Sequence, residues 1–251
     1  MTKTVPGDLI YRYPPLKEGI LLKRYKRFFA DIQLASGETI TAHCPNTGPM
    51  IGVSAIGSRV QVSKSDNPKR KLAYTWELIA RSNVAEDSGE DLWIGVNTAM
   101  PNRITKIVLE KNLLPQLGNY QTIRAEFPYG VGSRVDFLLS GDQDFAPIYL
   151  EVKSTTLAVP PLALFPDTET TRGQKHLREL TAILPQARGV MLYFINRGDC
   201  DRFTPGDAYD PTYGKLLREG LKHGLEVLPC RFLITPEGIS YLGLAELVLK
   251  D

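Results

Sequence analysis

Asp136, Glu151 and Lys153 are the residues whose types and spacing suit phosphodiester chemistry. In Ile148-Tyr149-Leu150-Glu151-Val152-Lys153 the side chains of a strand alternate. Tyr149, Glu151 and Lys153 therefore share one face, and Ile148, Leu150 and Val152 share the buried one. The preceding segment Arg134-Val135-Asp136-Phe137-Leu138 can pair antiparallel with it across the loop at 140–147 and bring Asp136 beside Glu151. Two neighbouring carboxylates repel unless a cation neutralises them. Mg²⁺ or Mn²⁺ suits oxygen donors of this kind and keeps coordination places open for water and phosphate. Lys153, one pleat along, can then orient a water or stabilise charge on a transferring phosphoryl group. Asp136 and Glu151 are the candidate metal ligands, and with Lys153 they form the candidate catalytic set.

The elements that must position this set follow from periodicity. Helical spacing of Ile104, Ile107, Val108 and Leu114 predicts a helix stopped by Pro115. Three strands follow at Ile123–Tyr129, Arg134–Leu139 and Ile148–Lys153. A helix over about 172–184, carrying Leu177, Leu180 and Ile183, then leads to the apolar strand Val190–Ile195. Asp210 and Pro211 give a strong start signal for a third helix. Two final strands flank Pro236-Glu237-Gly238. The strand at Leu92–Val96 is expected to open this mixed α/β unit.

The first 85 residues read differently. Ala30, Ile32 and Leu34 fall on one face with Phe28, and Ile40, Ala42 and Cys44 alternate with Thr39, Thr41 and His43. Further strands carry Val60 and Val62, and Leu72, Tyr74, Trp76 and Leu78. About five short strands without a helix suggest a small closed barrel of the OB type, with an SH3-like barrel the weaker alternative. The acidic stretch 86–91 is the expected linker. The whole is thus α/β in two domains, 1–85 and 86–251.

Charge divides along the same line. Of 251 residues, the first 85 hold 13 Lys and Arg against 6 Asp and Glu, and the remainder 17 against 22, so a net +2 conceals +7 and −5. A basic module on an acidic partner is suited to a polyanion. Lys23, Arg24, Lys26 and Arg27 surround Tyr25, and Lys69, Arg70 and Lys71 precede Tyr74 and Trp76; cations beside aromatics suit single-stranded nucleic acid. Phe28 and Trp76 are expected in the barrel core. The longest apolar run, Val190–Ile195, is far shorter than the roughly 20 residues of a membrane helix. The N-terminus lacks the apolar stretch of a signal peptide, and three cysteines without a CxxC pair point to a reducing cytoplasm.

Several motifs carry a resemblance as well. Asp136 followed by Glu151-Val152-Lys153, in a helix–strand–strand–strand–helix–strand order, resembles the PD-(D/E)xK nuclease superfamily. That resemblance implies an upstream acidic ligand, for which Glu126 is the candidate. The chain as a whole is similar to the sugar fermentation stimulation protein (SfsA) family. The stretches that carry this are Arg24-Tyr25-Lys26-Arg27-Phe28, His43-Cys44-Pro45-Asn46-Thr47-Gly48, Lys69-Arg70-Lys71, Val96-Asn97-Thr98, Ser133-Arg134-Val135-Asp136-Phe137, Glu151-Val152-Lys153-Ser154, Phe165-Pro166-Asp167 and 172–180. Pro49 and Thr168-Glu169 depart from the family pattern without touching the Asp, Glu and Lys. The family implies an OB-like N-terminal domain on a nuclease-like domain, DNA binding, and a regulatory role in sugar metabolism.

Two functions stay open on this reading. One is a DNA-binding protein with a Mg²⁺-dependent endonuclease or phosphodiesterase site; the other is a non-catalytic DNA-binding regulator. A carbohydrate-binding barrel is a third and weaker idea. The expected partners are DNA, single- or double-stranded, and a second copy of the chain as a homodimer; a membrane is not among them. Arg172 and Lys175, at the start of the second helix, are candidate phosphate contacts. Asp167 either serves that site or, with Thr171, caps the helix. A nucleophilic pair of His43 and Cys44 is rejected, because adjacent strand residues point to opposite faces. His176 is read as an ordinary helix histidine.

Overall fold

The N-terminal strands close on themselves because their apolar residues occupy every second position. The structure is a computed structural model and describes residues 7–81, 91–130 and 132–249. Strand β1 (Leu9–Arg12) belongs to a second sheet considered below. β2 (Leu16–Tyr25), β3 (Phe29–Leu34), β4 (Thr39–His43), β5 (Arg59–Lys64) and β6 (Tyr74–Arg81) pair antiparallel in the order β4-β3-β2-β5-β6. A short parallel ladder, Ala42↔Tyr74 and His43↔Thr75, joins β4 to β6 and completes a five-stranded barrel. Leu21, Ala30, Ile32, Ala42, Val60, Val62 and Trp76 fill it and are fully buried. Trp76 is in the core as expected, its indole N–H donating to the Leu78 carbonyl at 2.9 Å.

Phe28 is not in the core. It is 49% exposed, because the strand begins one residue later, at Phe29, and its first buried position is Ala30. Lys26 and Arg27 adopt left-handed φ values of 47° and 63° and turn the chain between β2 and β3, leaving Phe28 at the tip.

The expected division at 85/86 is crossed twice. β7 (Leu92–Gly95) pairs with β6 on the barrel rather than opening the second unit. β1 pairs with a strand near the C-terminus, Leu9↔Ser240 to Arg12↔Gly238. The expected linker lies outside the described residues except for Asp91, which pairs with Arg59.

The second unit is a seven-stranded mixed sheet with helices on both faces. It comprises α1 (Met100–Glu110), β8 (Thr122–Tyr129), β9 (Ser133–Ser140) and β10 (Ile148–Thr155). A small side sheet uses β11 (Ala158–Val159) and β12 (Leu162–Phe165). After these come α2 (Thr171–Ala182), β13 (Arg188–Ile195), β14 (Arg202–Pro205) of the side sheet, and α3 (Pro211–Lys222). β15 (Glu226–Ile234) and β16 (Gly238–Leu244) follow, and β17 (Glu246–Leu247) ends the side sheet. The main sheet runs β1-β16-β15-β13-β10-β9-β8. The unbroken apolar run at 190–195 is now explained: Val190, Leu192 and Phe194 pack toward α1, and Met191, Tyr193 and Ile195 toward α2 and α3. Asp210 caps α3 by accepting from the Tyr213 N–H at 2.9 Å. Its carboxylate also accepts from the Thr170 N–H and the Gln174 amide, which ties α3 to α2. Among the described residues no helix is long and apolar enough to cross a membrane.

Candidate active site and nucleic-acid interface

Strands β9 and β10 pair at Leu139↔Ile148, Leu138↔Tyr149 and Phe137↔Leu150, and the ladder then stops. The next pair in that register would be Asp136 opposite Glu151, so the two carboxylates meet where the strands part. Asp136 stands in for the missing ladder: its Oδ2 accepts the Val152 backbone N–H at 2.7 Å, and its Oδ1 accepts from the Asn102 amide of α1 at 2.6 Å. Burial, then the charge of Glu151, pushes the Asp136 carboxyl up to about 6, against those hydrogen bonds.

The face carrying Glu151 and Lys153 is covered rather than solvated, because α2 lies over it. Glu151 is only 3% exposed. Its Oε1 accepts from Lys153 Nζ at 2.8 Å and is also hydrogen-bonded to His176 Nδ1. Its Oε2 is buried without a hydrogen-bond partner. Burial pushes the Glu151 carboxyl up, yet the His176 hydrogen bond and the Lys153 charge outweigh it and hold it below the usual carboxylate value. An unpartnered buried oxygen beside a second carboxyl held above its ordinary range is an arrangement short of positive charge. A hard divalent cation fits it.

His176 was not singled out as chemically important in the sequence. It shares the inner face of α2 with Gly173, Leu177 and Leu180, all buried. A histidine inside an apolar helical stripe was the available signal. Arg172, one turn earlier, donates from Nε to His176 Nε2 at 3.4 Å. With Nε2 accepting, Nδ1 carries the proton that faces Glu151.

Two hollows flank the carboxylates. One, of 270 Å³, lies between the starts of α1 and α2 and is lined by Thr98, Asn102, Asp136, Glu151, Lys153 and Arg172 among others. The other, of 420 Å³, is lined by Glu126, Arg134, Asp136, Arg172, Lys175 and His176 among others. Glu126 thus reaches the neighbourhood of Asp136. The β8–β9 ladder runs Ala125↔Phe137 and Phe127↔Val135 and skips Glu126, whose φ is 52°. Among the described residues, however, no three His, Cys, Asp or Glu side chains stand together as ligands for one ion. Asp136 and Glu151 come together and Glu126 does not complete a triad. Arg172 and Lys175 both border the site, Lys175 within 3.7 Å of Glu179.

Asp167 and Thr171 do not cap α2; Thr170 does, accepting from the Gly173 N–H at 3.0 Å. Asp167 instead lies beside the barrel loop that follows β4, and burial holds its carboxyl above the ordinary value, partly offset by the Met50 backbone. Cys44 is buried, with its thiol on the Asn46 carbonyl and on Met50, not on His43.

The basic residues separate into two kinds. Lys23, Lys26, Arg27, Lys69, Arg70 and Lys71 are exposed. They sit at one end of the barrel: His43 pairs with Phe29 on one side and Thr75 on the other, so both basic loops rise beside the end of β4. Their bases are about 10 Å apart, two strand spacings. Lys23 lies 5.4 Å from the Tyr25 ring, and Arg70 donates to Thr75 Oγ1 at 3.0 Å. Arg24 is the exception. Its guanidinium donates to the carbonyls of Asn46 and Gly48, at 3.0 and 2.8 Å, and holds the loop after β4.

Comparison with known proteins agrees with this architecture. Residues 22–96 match the profile described as the SfsA N-terminal OB domain, and 99–238 that of the sugar fermentation stimulation protein RE domain. A sugar fermentation stimulation protein homolog of Nostoc sp. (strain PCC 7120) is 68% identical over 244 residues, covering 96% of this chain and 99% of the relative. This chain belongs to the sugar fermentation stimulation protein family. The homolog of Cyanothece sp. (strain PCC 7425) is 66% identical, covering 97% of this chain and 100% of its own. A solved structure, Pyrococcus furiosus SfsA in complex with Ca²⁺, shares the fold, with a TM-score of 0.84 at 24% identity over 96% of this chain and 100% of that one. The first SfsA profile extends through β7, in keeping with that strand's place on the barrel.

Proposed function

We propose that this SfsA-family chain binds DNA through the basic end of its barrel and hydrolyses a phosphodiester at Asp136, Glu151 and Lys153 with Mg²⁺ or Mn²⁺. The observation that carries this reading is the meeting of Asp136 and Glu151 at the point where β9 and β10 part, with one Glu151 oxygen left unpartnered. Those two carboxylates would hold the ion. When bound, it supplies Lewis-acid stabilisation and an acidified water. Two protein ligands leave places for water and phosphate, the usual balance for Mg²⁺. The Ca²⁺ of the Pyrococcus relative supports a hard cation as the metal type.

The protein's own groups do the rest. Lys153 is pinned by Glu151 at 2.8 Å and is 12% exposed, so its charge stands in the cleft with little freedom to turn away. The N-termini of α1 and α2 border the same cleft and favour an anion there. Arg172, exposed at the start of α2 and donating to His176, adds a second cation. Charge placed in advance where negative charge develops is the main route to accelerating phosphoryl transfer.

A non-catalytic regulator is the second reading, favoured by the hydrogen bonds already made by both Asp136 oxygens and by the missing third ligand. Labelled single- and double-stranded DNA incubated with Mg²⁺ or Mn²⁺ separates the two. Cleavage abolished in Asp136→Asn, with binding retained, supports the enzyme. Salt-sensitive binding without cleavage under either metal leaves the regulator, and no binding at all removes both.

A further inference from the structure

One hollow belongs neither to the catalytic cleft nor to the basic barrel end. It is a notch of 70 Å³ where the two units meet, walled by Asn46 and Thr98, by Ser154 and Thr155, and by Phe165 and Asp167. It shares Thr98, Ser154 and Phe165 with the 270 Å³ cleft, so the two hollows adjoin. Thr155 lies on the same face of β10 as Glu151 and Lys153, one two-residue step, about 7 Å, beyond Lys153.

Three polar groups in this notch have hydrogen-bonding capacity to spare. Thr155 is 1% exposed, and its hydroxyl has no hydrogen-bond partner. Natural proteins seldom leave such a group unsatisfied without a reason. Asn46 uses its Oδ1 to accept the Gly48 N–H at 2.9 Å, and its amide hydrogens have no partner among the described residues. Asp167 turns its carboxyl toward Gly48 and has acceptor capacity to spare. Gly48, with no side chain, leaves the space beside Asn46 and Asp167 open. A Cβ there would lie 3.1 Å from Asn46 Oδ1 and 3.8 and 3.9 Å from the Asp167 oxygens. The loop that carries Asn46 is held by Arg24.

We propose that the notch receives one unpaired guanine of the bound strand, adjacent to the phosphate in the cleft. A carboxylate accepts the paired N1–H and N2–H of guanine, and an amide N–H donates to its O6. Adenine lacks the carbonyl, and cytosine and thymine lack two adjacent N–H donors beside one. The Thr155 hydroxyl, donor and acceptor at once, completes the edge. The site rests on the reading that this chain binds nucleic acid, and it adds a base preference that phosphate contacts cannot give. A purely structural role, in which these residues only fasten the barrel loop to the α/β unit, is the competing outcome.

The test uses the full chain and two probes. The first is calorimetric titration with GMP, AMP, CMP and UMP. The second is anisotropy with single-stranded oligothymidylates carrying one guanine at each position in turn. GMP is expected to bind about tenfold tighter than the others, and the oligonucleotides to show a preference at one position. Asp167→Asn and Gly48→Ala should reduce both to about twofold while leaving the salt dependence of binding unchanged. Thr155→Val, which keeps the shape and removes only the hydroxyl, should weaken GMP without lowering the melting temperature. Equal affinity for the four monophosphates, or a preference that survives Asp167→Asn and Thr155→Val, overturns the proposal. Salt-sensitive oligonucleotide binding without base preference removes the notch alone, whereas no binding at all removes the nucleic-acid reading with it.

Discussion

The barrel tip and the candidate cleft both present lysine and arginine, but they hold them in opposite ways. At the tip, Lys26, Arg27, Lys69 and Lys71 stand in water and form no ion pair among the described residues. In the cleft, Lys153 is half-buried and fixed on the buried carboxylate of Glu151, while Arg172, exposed at the start of α2, reaches in to donate to the buried His176 ring. Exposed cations attract a polyanion from a distance and are screened by salt. A cation held against a buried carboxylate, as Lys153 is, has met its ordering cost during folding and so holds a direction. On the proposed function the two regions divide capture from orientation, and mutations should separate them too.

The largest expected effect is at the cleft. Asp136→Asn should lower metal-dependent cleavage at least about a thousandfold while DNA affinity stays within a factor of about two, as read by gel assay and anisotropy. Comparable loss of affinity would mean that the two regions do not divide the work. Next comes pH. The folded-state carboxyl of Asp136 is raised to about 6 from an unfolded value near 3.8, so the folded chain holds that proton more tightly. The stability it contributes is fully present below about pH 4 and is lost as pH climbs through 6, on the order of 3 kcal/mol for a shift of this size. Urea melts at several pH values should show this slope in the metal-free wild type. Asp136→Asn, which mimics the protonated form, should lack it, and equal slopes would place Asp136 in water.

A smaller effect is expected at the barrel tip. Lys26→Ala with Arg27→Ala should reduce affinity about tenfold and flatten the salt dependence by about two counterions, with cleavage per bound complex unchanged. The smallest marks the exception between the regions. Arg24→Ala should leave the salt slope as it is and cost about 1 kcal/mol of stability, because its guanidinium holds two carbonyls.

The parts of the site that depend on local periodicity could be read from the residues. Asp136 and Glu151 are adjacent because antiparallel pairing across one loop fixes their register, and Asp210 starts its helix through a cap that needs only three residues of context. What escaped depends on distant partners. Nothing local says that Leu9–Arg12 will pair with Gly238–Leu244, or that Leu92–Gly95 will turn back to the barrel. Nor do Lys26 and Arg27 announce a left-handed turn as glycine would, so the alternation alone extends the strand back to Phe28. Glu126 lines the same hollow as Asp136, and what the sequence does not announce is its left-handed backbone where the ladder skips it. Arg24 looked like its basic neighbours until the loop it supports was in view.

The crossing of β1 has a consequence for how the molecule can be divided. Its threading makes the barrel an insertion within the chain of the larger unit, entered after Arg12 and left near Gly95. A fragment beginning at residue 97 would lack the outermost strand of its own sheet and bare the edge of β16 to other chains. Neither half is therefore free to come apart without disturbing the other, and the intact polypeptide should melt as one cooperative body.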